Sequence, residues 1–193
     1  RPNLDDKVLS GWNGLMIAAF ARGARVFEFG GGATSPLLTA AQSAARFVRD
    51  ALWDKDRQRL LRRYRRGQAA IDGYSEDYAY TIWGLLELFQ ADFDPAWLDW
   101  AKTLQAKQNE LFWDADAGGW FATTGEDLSV LLRLREDYDG AEPSASAVSV
   151  LNLLTFSQLT GDEVWVNQIE KTLGRLSGNN GSLARIMPMM MAG

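Results

Sequence analysis

The sequence predicts an all-α fold, an array of antiparallel helix pairs with short β-like arms between the pairs, and three observations predict it. Apolar residues recur every three or four positions in several separate stretches, the spacing that lines one face of a helix. The stretches come in twos, joined by short turns, with longer loops between pairs. The pairs repeat at roughly 60–70 residues, too long and too irregular for the ~34-residue tetratricopeptide or ~33-residue ankyrin repeat. Such an array is either a solenoid or part of a closed toroid of helix pairs, and we favour the toroid. The 193 residues are read as a single domain, a fragment of such a toroid, because length over ~150 gives little more than one domain.

The first stretch carries Trp12, Met16, Ala19, Phe20, Gly23, Val26 and Phe27 at helical spacing, which predicts a helix that buries this face. It ends at Gly30-Gly31-Gly32. That triplet follows no strand, so it reads as a flexible loop rather than a dinucleotide fingerprint. Thr34-Ser35-Pro36 then reads as a cap followed by proline at the first helical position, and Leu37, Ala41, Ala44, Val48 and Leu52 continue a second helix. Leu60 to Gly67 has no helical period and reads as a short extended excursion before Asp72-Gly73. A third helix runs through Tyr78, Ile82, Leu85, Leu86 and Phe89. Asp94-Pro95 opens a fourth through Trp97, Ala101, Leu104, Gln108 and Leu111, and these two are expected to pair antiparallel. Gly118 to Thr123 and Val130 to Arg135 read as a small hairpin or a pair of extended arms. The fifth helix begins near Pro143-Ser144 and runs to about Leu159. Gly161 and Asp162 combine a glycine stop with an acidic cap and lead into a sixth through Trp165, Ile169, Leu173 and Leu176. Asn179-Asn180-Gly181 is a turn, and a seventh helix is expected to start between Ser182 and Met191.

Composition removes several classes of function. The chain has 20 Lys plus Arg against 25 Asp plus Glu, a net charge of −5, which argues against a nucleic-acid partner. Without cysteine there is no disulfide, no thiolate catalysis and no Cys-based metal site. Without histidine the commonest general base, the Ser-His-Asp triad and the HExxH zinc motif are all absent. What chemistry remains must use carboxylates, Arg, Lys, Tyr or hydroxyls, and neither a cofactor nor a metal is expected. No apolar run reaches the ~18 residues of a membrane span, and Arg1 to Asp6 lacks the apolar core of a signal peptide. A soluble, cytoplasmic protein with no membrane partner is expected. The chain does not begin with Met, which suggests a fragment or a processed protein.

Three strings carry a family likeness: Leu4 to Met16 (LDDKVLSGWNGLM), Glu76-Asp77-Tyr78-Ala79-Tyr80 with Trp83 to Leu88, and Asp139-Gly140-Ala141-Glu142-Pro143-Ser144. In that order, with Gly118-Gly119-Trp120-Phe121 between, they resemble the thioredoxin-domain-containing family that includes spermatogenesis-associated protein 20. The resemblance implies a partial (α/α)6 toroid, the later part of one that in the family follows a thioredoxin-like domain. Such toroids are similar to those of N-acylglucosamine 2-epimerases and six-hairpin glycosidases. Fewer helix pairs than six cannot close the ring, so either a face stays open or the partner is a second copy or the missing toroid half. After Ser144 the family tends to continue Gly-Asn-Ser, whereas Ala145-Ser146-Ala147 stands here. The 2-epimerases use histidines for proton transfer, and this chain has none.

The three strings fall at helix starts, which in toroids of this class line a central funnel, so the resemblance implies a site there. Asp77, Asp139 and Glu76 are the candidate catalytic carboxylates. Paired carboxyls, one protonated and one ionised, are the chemistry of glycoside hydrolysis. Asp6, Lys7, Trp12, Asn13, Tyr78, Tyr80, Trp120, Arg135 and Ser144 are the candidate substrate-binding residues, with Asp5, Asp137, Glu142 and Trp83 nearby in sequence. Each has a plainer reading. Carboxylates at helix starts stabilise the dipole without catalysis. Asp6-Lys7 reads as a local ion pair and Arg62 to Arg66 as a salt-bridged or solvated arm. Trp12, Trp83, Trp97 and Trp165 read first as core, whereas Trp120 is the tryptophan expected to face a cleft. Met187 to Met191 is expected to pack against a missing helix or a partner. Two functions follow: a carbohydrate-binding or carbohydrate-active domain, glycosidase- or epimerase-like, with a sugar as ligand; or a non-catalytic helical scaffold supporting a thioredoxin-like domain or a protein partner.

Overall fold

The structure, a computed structural model, describes residues 5–27, 35–126, 130–177 and 188–189. It divides into two compact units, Arg1–Leu104 and Gln105–Gly193. In the first, β1 (Val8–Leu9) runs into α1 (Ser10–Phe27), followed by α2 (Pro36–Phe47), a π-helical turn (Val48–Leu52), β2 (Trp53–Asp54), β3 (Arg59–Arg65), β4 (Gln68–Asp72) and α3 (Ser75–Asp92). α4 (Pro95–Phe112) begins in this unit and ends in the second. The helix starts are those the sequence predicts. Ser35 Oγ accepts the Leu38 N–H at 3.0 Å with Pro36 at the first helical position, and Asp94 Oδ1 accepts the Ala96 N–H at 3.0 Å.

α1 and α3 pack against each other through their smallest residues. A Cβ on Gly14 would lie 2.4 Å from the Tyr80 carbonyl carbon, and one on Gly84 2.6 Å from the Gly14 oxygen. Side chains at that crossing would hold the backbones apart, so α1 buries Gly11, Gly14, Ile17, Ala18, Ala21 and Ala24 and turns its larger residues outward. Met16, Val26 and Phe27 are exposed. This corrects the expected orientation, in which the bulky stripe was the buried one. Glu87 of α3, almost wholly buried, is held by Arg22 and Arg25 of α1.

Between the helices β3 is the centre of a four-stranded antiparallel sheet, paired with β1 (Val8 opposite Tyr64), β2 (Trp53 opposite Leu60) and β4 (Leu61 opposite Asp72). Arg66 and Gly67 join β3 to β4 with φ of 50° and 81°, both left-handed, the two-residue turn whose twist matches that of paired strands. The extended excursion is therefore a hairpin, and the fold is mostly helical with a small sheet rather than purely all-α. Alternate residues of β3 face alternate sides. Leu60 and Tyr64 pack inward, Tyr64 edge-on to Phe47 of α2 at 5.3 Å, and Arg62 lies between them in sequence.

The second unit holds the end of α4, α5 (Ala145–Thr160) and α6 (Glu163–Ser177). The arms expected at 118–123 and 130–135 form no strand among the described residues. They reduce to one bridge, Trp113 with Trp120, and one hydrogen bond from the Ala122 N–H to the Leu134 oxygen at 2.7 Å. Gly118 and Gly119 have φ of 82° and 83°, and a Cβ on either would come within 2.9 Å of Lys171 or Arg175, so both conformation and space select glycine. Ser144 Oγ accepts the Ala147 N–H at 3.2 Å to start α5, Gly161 ends it at φ of 69°, and Asp162 Oδ1 accepts the Val164 N–H at 2.9 Å to start α6. The expected turn at 179–181 and the glycine triplet lie outside the described residues, as does all of the expected seventh helix except the turn at 188–189. Among the described residues no helix is long and apolar enough to cross a membrane.

Candidate functional site

Asp77 is the most connected of the candidate residues. It sits in the first turn of α3, where free backbone N–H groups favour a carboxylate. Its Oδ2 accepts the Tyr74 N–H at 2.9 Å and Arg62 Nη1 at 2.7 Å, and its Oδ1 accepts Ser10 Oγ at 3.1 Å and the Gly11 N–H at 3.2 Å. One carboxylate thus ties β3 and the starts of α1 and α3, and it is only 2% exposed. Burial pushes the Asp77 carboxyl above its ordinary value, while Arg62 and the Tyr74 N–H pull the other way. Four donors and no acceptor surround it, an arrangement that suits the ionised form.

Glu76 stands at the rim of the same cluster, its carboxylate accepting Arg62 Nη1 at 2.6 Å. Desolvation works against the Arg62 charge, but Asp77 and Glu76 outweigh it and hold the guanidinium firmly protonated. That guanidinium lies 4.7 Å from the centre of the Tyr74 ring, which is half exposed. A partly exposed carboxylate, a fixed guanidinium and an open aromatic face can together bond sugar hydroxyls and pack on a sugar's C–H surface. Arg62, Tyr74 and Ser10 were absent from the sequence-derived site. Asp77 accepts the Tyr74 N–H as the third residue of a capping box does, but a tyrosine at the cap carries no short polar side chain, so the sequence held no cap signal that would have found Tyr74.

The other candidates of the first unit scatter. Asp6 pairs with Arg65 and Arg66 of the hairpin, and Lys7 with Asp5 at 3.3 Å, so the expected Asp6-Lys7 pair is corrected while the salt-bridged arm is observed. Asn13 Nδ2 donates to the Leu9 oxygen at 2.8 Å. Tyr78 and Tyr80 are buried and offer no surface platform. The Tyr78 oxygen accepts the Leu60 N–H at 2.8 Å, and burial pushes its hydroxyl up to about 12. Trp12 is 56% exposed, against its reading as core, because α1 turns that face outward.

In the second unit Asp139 Oδ1 accepts the Ser144 N–H at 2.7 Å and Oδ2 the Met189 N–H at 2.8 Å. Asp139 and Met189 border a cleft of about 470 Å³ lined also by Glu142, Pro143 and Pro188. Ser144 is spent on capping α5, and Asp137 is gripped by Arg175 at 2.8 Å and by Ser146 Oγ at 2.6 Å. Trp120 does not face a cleft: it is 1% exposed, donates from Nε1 to Asn109 Oδ1 at 3.0 Å, and meets Trp113 edge-on at 5.0 Å. The left-handed Gly118-Gly119 pair folds it back onto the end of α4.

Arg135 pairs with Asp114, and it and Arg133 lie 4.2 and 4.1 Å from the Phe121 ring centre. Asp114 also accepts the N–H groups of Ala117 and Asp116, and these bonds with Arg135 hold its carboxyl below the ordinary 3.8. A carboxyl lowered on folding stabilises the loop above its unfolded value and loses that stabilisation as pH falls through the lowered one. The Ala117 and Asp116 amide NMR shifts are therefore expected to titrate together with a midpoint below 3.8; a midpoint at or above it would contradict the arrangement. Among the described residues no group of three or more His, Cys, Asp or Glu side chains is placed to hold a metal.

No protein-family model matches the chain. It is 39% identical over 179 residues to spermatogenesis-associated protein 20 of Rattus norvegicus, and 37% identical over 177 residues to that of Homo sapiens. Each match takes in 87% of this chain, which spans 22% of the length of those relatives. Among solved structures it is similar to a GH76 α-mannanase of Bacteroides thetaiotaomicron, with a TM-score of 0.69 at 12% identity over 92% of this chain and 44% of that one. It is also similar to a cellobiose 2-epimerase of Spirochaeta thermophila, with a TM-score of 0.66 at 16% identity over 86% and 42%. At such identity the likeness speaks for the fold alone. The chain is a relative, over 87% of its length, of the family that includes spermatogenesis-associated protein 20, and its fold is like that of part of an α/α toroid.

Proposed function

We propose that this chain is part of an α/α toroid that binds or acts on a carbohydrate through carboxylates. The observation that carries the reading is the cluster of Arg62, Glu76, Asp77 and the half-exposed Tyr74 at the starts of α1 and α3, on a fold like that of proteins described as a mannanase and a sugar epimerase. Glu76 is the carboxylate open enough to touch a substrate, Asp77 sets the position of Arg62, and Asp139 is the candidate of the second unit. The 193 residues are read as one domain of such a toroid.

A tryptophan-fluorescence titration against mono- and oligosaccharides tests this. Trp12, exposed and next to the Gly11 amide that bonds Asp77, is the expected reporter. A saturable shift with one sugar class, lost in Trp12→Phe and weakened in Glu76→Gln, is the expected result. Silence across the panel from protein shown to be folded would remove the reading. The second reading, a helical scaffold beside a thioredoxin-like domain or another protein, is favoured by one specific observation: Asp77 already accepts four hydrogen bonds and is buried.

A further inference from the structure

We propose that the arm from Leu132 to Tyr138 receives an extended segment of a partner protein, which adds to it as a β-strand. The arm lies wholly within the second unit. It belongs to no helix, and its residues turn alternately inward and outward, as extended backbone does. The inward row is charged and anchored. Arg133 donates to the Thr123 oxygen at 2.8 Å and to the Leu111 oxygen at 3.2 Å, Arg135 pairs with Asp114, and Asp137 pairs with Arg175 at 2.8 Å. The outward row is Leu132, Leu134, Glu136 and Tyr138, of which the leucines and the tyrosine are 73%, 65% and 66% exposed. Ions thus hold the arm down while its apolar side chains face out, the reverse of an ordinary surface strand.

The backbone of the arm narrows what covers it. The Leu134 oxygen accepts the Ala122 N–H at 2.7 Å and the Glu136 oxygen the Ser146 N–H at 3.4 Å, so one edge of the arm is turned to its own unit. In extended chain the peptide groups of the residues between point the other way. Among the described residues those of Arg133 and Arg135 make no backbone hydrogen bond. An edge of this kind selects extended polypeptide, whose own N–H and C=O groups complete the ladder, over a sugar or a compact apolar ligand.

Natural edges that stay unpaired are blunted by proline or by outward lysine, and the arm has neither between Leu132 and Tyr138. The partner segment is therefore one with apolar side chains at every second position, lying beside Leu132, Leu134 and Tyr138. Glu136 in the same row favours a lysine or arginine among them.

NMR titration of the 193-residue chain with an end-capped peptide, Lys-Thr-Val-Thr-Val-Thr-Val-Thr-Lys, tests this. Saturable binding with a Kd below about 1 mM is expected, with the Arg133 and Arg135 amide protons exchanging about tenfold more slowly once the peptide is bound. The same peptide methylated on its amide nitrogens keeps its side chains but loses its donors, and is expected not to bind. Leu134→Asp should weaken binding about tenfold or more. Should that variant fail to fold, Leu132→Ser at the neighbouring outward position makes the comparison. Absence of saturable binding overturns the proposal, as does equal binding of the methylated peptide or of the variant. Protection of the Arg133 and Arg135 amides before any peptide is added also overturns it, because the edge is then already covered by the chain itself or by a second copy.

Discussion

Gly14→Ala is expected to destabilise the chain by about 3 kcal/mol or more, the upper range for overpacking a close contact. The added methyl carbon would stand 2.4 Å from the Tyr80 carbonyl carbon and 2.5 Å from its oxygen. Both are backbone atoms in the middle of an 18-residue helix, so no side chain can swing aside, and the two helices must separate. Separation also pulls Gly84 off the Gly14 oxygen and loosens the Arg22 and Arg25 grip on Glu87, which leaves a buried carboxylate less well paired. Urea unfolding reads the loss directly. The control is Gly174→Ala in α6, where a Cβ meets nothing within 4 Å and alanine is expected to add about 0.5–1 kcal/mol. A Gly14→Ala variant as stable as the parent would mean that α1 and α3 do not cross in backbone contact.

The same crossing shows what the sequence could and could not reveal. Helix starts were legible because caps are local: Ser35 with Pro36, Asp94 with Pro95, and Ser144 each announce a helix within four residues. The orientation of α1 was not legible. Periodicity finds an apolar stripe but cannot tell whether the bulky stripe or the Gly and Ala stripe opposite it faces the core, since that depends on how closely a helix about 65 residues away approaches. The hairpin β3–β4 was seen only as a break in helical period, because its turn is Arg66-Gly67 rather than Asn-Gly and its strand is rich in arginine, not in β-branched residues. The candidate site divides along the same line. Glu76 and Asp77 were found because they lie in one of the three strings that resemble the family and fall at a helix start. Arg62 was missed as their partner because a pairing across 15 residues of strand and turn has no spacing rule. Trp120 was misjudged because two left-handed glycines reverse the chain just before it.

Asp77→Ala is expected to destabilise the fold by about 3 kcal/mol or more, because several buried donors lose their acceptor at once, at about 1–3 kcal/mol for each one left unsatisfied, although Arg62 keeps Glu76 as a partner. It strips Arg62 of its deepest carboxylate and leaves Ser10 Oγ and two backbone N–H groups without their acceptor. Arg62→Met should cost less in the Asp77→Ala background than in the parent, since Arg62 has there already lost one of its two carboxylates and keeps only Glu76, and a double-mutant cycle measures that coupling. Strictly additive losses would show that the pair does not interact. Asp77→Asn separates the structural role from the functional one. Its oxygen can accept from one pair of donors, but its NH₂ group then faces the other pair, so the network is damaged whichever way the amide turns. If sugar response and stability fall together in Asp77→Asn, and Glu76→Gln loses the response with its stability intact, Asp77 is the residue that positions Arg62 and Glu76 is the one that meets the ligand. If instead Asp77→Asn stays as stable as the parent and only the response is lost, the four hydrogen bonds are dispensable to the fold, and a carboxylate this deeply buried is kept for chemistry.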